Sequence, residues 1–189
     1  TLFYSPIAWL ILVIFVFQVF GSFANLLEYT VNAKTLGQMQ GYQSYMLFVI
    51  GGFAPYTTIQ STLYLYIPLL TMGLMSREYS SGSIKLLFSS PISSLQIILG
   101  KYLSMLIYGL IMMGSVLVLV VVAFFSIKDF DLSLVLSGWL GLYLLMATYA
   151  AIGLFMSTLT SYQIIAALGT LTFISFLNFI GSLWQHIEG

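Results

Sequence analysis

The sequence has almost no charge, no cysteine and a single histidine. Only 5% of its 189 residues are charged, against roughly a quarter in an ordinary soluble domain, so no water-facing surface can be assembled from them. Five Lys plus Arg balance five Asp plus Glu, which leaves nothing like the basic stripe of a nucleic-acid binder. DNA and RNA are therefore excluded as partners. The absence of cysteine removes disulfides, thiolate zinc sites and thiol nucleophiles together, and His186 alone cannot build a metal site. What fills the chain instead is apolar sequence, 60% of all residues.

A helix needs about 20 apolar residues to cross a hydrocarbon layer roughly 30 Å thick, so the spacing of the charges maps the spans. They fall at Glu28, Lys34, Arg77, Glu78, Lys85, Lys101, Lys128, Asp129, Asp131 and Glu188. The intervals predict an all-α, polytopic transmembrane bundle in one domain, residues 1–189. Five spans are expected, at 7–27, 58–75, 102–127, 132–156 and 164–184, the last two separated by the polar hinge Ser157 to Gln163. The stretch 35–57 is broken by Gly37, Gly41, Gly51, Gly52 and Pro55, and its apolar run Tyr45 to Phe53 is short enough to read as interfacial or re-entrant. The first span is too long for a signal-peptide core of about 7 to 15 residues. It reads as a retained span of a chain that continues upstream of Thr1.

Lys and Arg are retained on the cytoplasmic side of short loops. Segment 76–101 holds Arg77, Lys85 and Lys101, whereas loops 28–57 and 128–131 hold only Lys34 and Lys128. The segment is expected in the cytoplasm, with the N-terminus on the same side. Trp9, Tyr29, Tyr102 and Trp184 sit near predicted span ends, where interfacial aromatics belong.

No ionisable residue falls in the middle of a predicted span, and such residues normally mark proton relays and ion-coupled sites. A proton-coupled transporter and an intramembrane hydrolase are both disfavoured on that ground. A phosphate-binding loop is missing too, because Gly100-Lys101 is followed by Tyr102 and lacks the upstream glycine. Catalytic, cofactor and metal residues are accordingly expected to be absent, and any energy must enter from another chain.

The richest stretch follows the second expected span. Gly82 is placed to adopt a left-handed conformation and stop the helix. Ile84, Leu87 and Phe88 then share one helical face, with Ser83 and Lys85 pointing elsewhere. Ser90-Pro91 ends that piece, since the residue before proline avoids the helical region. Ser93-Ser94-Leu95-Gln96 has the capping-box pattern that opens a new helix. Pro68, inside the second span, is expected to kink it. On the residues alone, the stronger reading of the segment is an interfacial connector whose basic residues fix topology and touch anionic headgroups.

The order Glu78, Gly82, Ser83, Leu86, Leu87, Ser90, Pro91, Ser93, Gly100, Lys101 resembles type-2 ABC exporter permeases, in which the second span is followed by Glu, a Gly-Thr/Ser step, a leucine-rich surface helix, a Ser/Thr-Pro turn and a Gly-Lys pair. Pro68-Leu69-Leu70-Thr71-Met72 and Phe3-Tyr4-Ser5-Pro6-Ile7-Ala8 are similar to the branch that includes the gliding-motility permeases. The resemblance implies a bacterial inner-membrane protein with a sixth span beyond Gly189. It implies that Arg77, Glu78, Gly82, Ser83, Ile84, Lys85, Leu87, Phe88 and Pro91 form a coupling helix on a separate ABC ATPase subunit, which would bind the ATP and Mg. Glu78 and Lys85 would make rim ion pairs there. It also implies a second permease, as a homodimer or with a related chain. A non-transporting membrane anchor or assembly scaffold docking a cytoplasmic partner through the same segment is the alternative.

Overall fold

The computed structural model describes residues 5–35, 55–84, 93–126 and 132–188, and these are helical apart from short connections. The helices are α1 (Pro6–Thr35), α2 (Pro55–Thr71), α3 (Ser76–Ser80), α4 (Ser94–Ser126), α5 (Leu132–Leu159) and α6 (Gln163–Glu188). Four contain stretches long and apolar enough to cross a membrane: Pro6–Asn25, Ser94–Val122, Val135–Leu159 and Gln163–Gly181. The remaining expected span, 58–75, corresponds to α2, a 17-residue helix that starts earlier and ends earlier than the apolar run. At about 1.5 Å per residue it is some 25 Å long, short of a full crossing at right angles to the membrane plane.

Helices α1 and α4 overrun their expected spans by the widest margins. Helix α1 continues past Glu28 and Lys34 to Thr35, because a charge ends the stretch that can lie in hydrocarbon without breaking backbone hydrogen bonding. Helix α4 begins at Ser94, well before the expected span at 102. Its start is the capping box foreseen above. Ser93 N–H donates to Gln96 Oε1 at 3.1 Å, and Gln96 N–H donates back to Ser93 Oγ at 3.4 Å. The hinge after α5 shrinks to residues 160–162, with Ser157 still inside the helix.

The chain divides into two compact units. In the unit drawn from Phe3–Leu63 and Tyr108–Leu145, α1 buries Ala8, Ile11, Phe15, Val19 and Phe23 as a single stripe, while Val13 and Phe17 face outward. That three-and-four spacing is one helical face. Tyr108 of α4 carries its hydroxyl 2.6 Å from Ala8 O, to which it donates. Trp139 of α5 donates its indole N–H to Met113 O at 2.9 Å and stacks on Tyr143 with ring centroids 6.2 Å apart. Aromatic groups here anchor neighbouring helices through their polar ends.

The other unit, drawn from Tyr64–Ile107 and Met146–Gly189, carries the polar interior. Thr71 and Thr170 are fully buried and send their hydroxyls back to Ile67 O (2.9 Å) and Ala166 O (2.7 Å), four residues upstream. Such back-bonding removes an apolar interior's objection to a hydroxyl. Ser157 is a buried hydroxyl that reaches beyond its own helix.

Candidate functional site

Helix α2 ends at Thr71, three residues after Pro68, and residues 72–75 form a turn leading into α3. Pro68 has no N–H to give to Tyr64 O, four residues upstream in α2. Met72 N–H returns to Pro68 O at 2.9 Å, and no further α2 residue follows. The break leaves polar backbone groups exposed in an otherwise apolar interior, and Ser157 of α5 collects them. Its Oγ donates to Met72 O at 3.1 Å and accepts from Met75 N–H at 3.0 Å and Ser76 N–H at 3.1 Å. Met75 is the N-cap of α3 and has no side-chain cap of its own. A hydroxyl from a different helix thus does what an N-cap side chain ordinarily does.

The close seating of α2 on α5 depends on Gly153. A Cβ there would lie 2.7 Å from Thr71 Cβ and closer still to Thr71 Oγ1. Gly153 is one turn before Ser157, so the two present a bare backbone and a hydroxyl on one face of α5 to the end of α2. Tyr102 of α4 donates its hydroxyl to Ala147 O of α5 at 3.2 Å, in the region where Ala147 and Ala151 lend α5 small side chains.

The charges gather beside this joint. Lys101, in the second turn of α4, extends its ammonium to Leu74 O and to Glu78 Oε1, with both side chains largely covered (14% and 22% exposed). The second Glu78 oxygen, Oε2, is buried without a hydrogen-bond partner. Arg77 is exposed on α3, and Ser80, Ser81 and Ser83 are exposed after it. Gly82 has φ +72°, the left-handed conformation that glycine adopts without steric cost, and it turns the chain as foreseen.

Of the residues expected at the coupling segment, Arg77, Glu78, Gly82, Ser83 and Ile84 therefore lie together on one short arm, while Lys85, Leu87, Phe88 and Pro91 lie outside the described residues. Glu78, expected to make a rim ion pair with a partner, has Lys101 of its own chain as an ion-pair partner. Ser157, Gly153 and Thr71 were not singled out as site residues. A Gly-x-x-x-Ser spacing on α5 was the available signal, one that many apolar helices share. Among the described residues no group of three or more His, Cys, Asp and Glu could hold a metal ion.

Long apolar helices joined through a compact charged turn define a polytopic helical membrane protein. Its residues 1–187 match the family described as ABC-2 family transporter protein, and the chain belongs to that family. It is an integral membrane protein of a transporter class whose members typically partner with an ATPase subunit. No curated protein and no solved structure matches it.

Proposed function

We propose that the chain is the permease subunit of an ATP-driven exporter, moving its substrate with ATP hydrolysed on a separate nucleotide-binding subunit. The observation that carries this reading is the arm Arg77 to Ile84, whose exposed polar side chains follow α2 directly while its base is bonded to α4 and α5. An arm so placed can receive a force from outside the membrane and hand it to membrane helices. Its continuation through Lys85, Leu87, Phe88 and Pro91 is the docking surface: Leu87 and Phe88 fill an apolar groove on the ATPase, and Lys85 and Arg77 meet charges at the rim. In this arrangement the arm and the N-terminus face the bacterial cytoplasm, α2 is the fifth crossing, and the chain falls in the gliding-motility branch of the family.

The transport path needs a second permease, and α6 offers the face for it. Thr172, Ser175 and Asn178 recur at intervals of three along α6 and are all exposed, in a span that is the least buried of the four at 22%. Ser175 is hydrogen-bonded to the Tyr64 hydroxyl, which also lies 3.5 Å from Leu171 O. Polar side chains in mid-span turn toward protein or a water-filled path in preference to lipid. A copy of this chain or a related permease covers that stripe.

The test is purification of the tagged protein with its associated chains, followed by reconstitution. An ATPase subunit should co-purify, and substrate should raise its hydrolysis rate. Leu87→Asp combined with Phe88→Asp should abolish both. Intact co-purification and unchanged stimulated hydrolysis in that variant would sink the docking assignment. Co-purification without any substrate-stimulated hydrolysis would instead indicate a membrane scaffold.

A further inference from the structure

The arm's base is held at two points that belong to different helices, and the two together constrain it more than either does alone. Ser157 of α5 binds the turn at Met72 O and at the N–H groups of Met75 and Ser76. Lys101 of α4 binds Leu74 O, between those points, and then Glu78 one turn further along α3. Five consecutive residues, Met72 to Ser76, thus supply four backbone groups to side chains of α4 and α5. The link from this stretch back to α2 is weaker. Met72 N–H to Pro68 O (2.9 Å) and Leu74 N–H to Thr71 O (3.1 Å) join the two, and one turn upstream Pro68 has no N–H to give to Tyr64 O.

We propose that Lys101 and Ser157 are positioning residues that clasp residues 72–80 to α4 and α5, so that a displacement of the arm is delivered to those two helices. The inference rests on the permease reading for its use, although the clasp itself is a property of this chain alone. The largely covered setting of the Lys101 and Glu78 side chains matters for its stiffness. An ion pair shielded from water loses little to ionic screening, and breaking it leaves Glu78 with both oxygens unsatisfied. Lys101 is also suited to hold two acceptors at once, because an ammonium carries three donors. Arginine would serve as well, having more donors in a fixed fork, whereas methionine matches the length and has none.

The absence of cysteine makes the experiment direct. Paired cysteines at Ser81 and Ile107, both exposed, are spin-labelled in the full-length protein in lipid nanodiscs, and the distance distribution is measured by pulsed electron resonance. The parent and Lys101→Arg should give one narrow distribution. Lys101→Met should broaden it, and Ser157→Ala should do so by a separate route. In the reconstituted complex, Lys101→Met should retain its ATPase subunit yet lower substrate moved per ATP by about fivefold or more, the scale of a typical coupling free energy, with Lys101→Arg restoring it. A distribution that stays narrow in Lys101→Met overturns the clasp. Broadening with an unchanged transport ratio overturns its positioning role. If the parent carries no ATPase at all, the permease reading fails, and the spin-label result still decides the clasp.

Discussion

The side chain of Thr71 occupies the space that a methyl group on Gly153 would need. Both residues are buried, and both lie on helix backbones that cannot separate without opening the Ser157 bonds one turn away. Gly153→Ala should therefore act as overpacking, costing about 1–3 kcal/mol, and should lower the unfolding temperature measured in detergent. Adding Thr71→Gly removes the colliding atoms and should recover part of the loss. A Gly153→Ala variant as stable as the parent would show that α2 and α5 are not in this contact.

Ser157→Ala strips the Met75 and Ser76 N–H groups of their partner, while Met72 O keeps the Ser76 hydroxyl as a donor. Each buried group left unsatisfied costs about 1–3 kcal/mol, although water reaching the turn would reduce the sum. Deuterium uptake measured by mass spectrometry should rise across residues 72–80 and stay as in the parent through the middle of α4. Uniform protection in the variant would mean that the turn has other support.

The capping box at Ser93 and Gln96 is local, and its loss should be felt locally. Ser93→Ala should cost about 1 kcal/mol and fray the first turn of α4. A cysteine placed at Leu95 should then react faster with a water-soluble maleimide, while one placed at Leu103 keeps its rate. Equal rates at Leu95 with and without Ser93 would place the helix start elsewhere.

Ser175→Leu with Asn178→Leu makes α6 a face suited to lipid. Association between permease chains, counted by stepwise photobleaching of labelled protein in nanodiscs, should fall. Val13→Leu on the exposed side of α1 is the control and should leave the count unchanged. Undiminished association in the double variant would move the proposed second permease to another surface.

How much of this was readable in advance depended on range. The long apolar helices came from run lengths between charges, the Gly82 turn from the lack of a side chain, and the Ser93 cap from residues three apart, each a signal contiguous in sequence. The overrun of α1 past Glu28 was missed because a charge limits contact with hydrocarbon and leaves helical hydrogen bonding intact. The joint itself was hidden. Whether Ser157 meets Met75, or Lys101 meets Glu78, depends on the rotation of two helices whose contacting residues stand 82 and 23 positions apart. Nothing local encodes that rotation, and small and hydroxyl residues are too common in apolar helices to mark which of them touch.

Helix α1 is 30 residues long, about 45 Å at 1.5 Å per residue, yet its apolar part ends near Asn25. The final ten residues carry Glu28 and Lys34 and so stand clear of the hydrocarbon as a stalk of about 15 Å. The helix is therefore a built-in depth gauge. Where it changes from lipid-contacting to water-contacting marks one surface of the membrane along the helix, and collisional quenching of labels stepped along α1 would read that level directly.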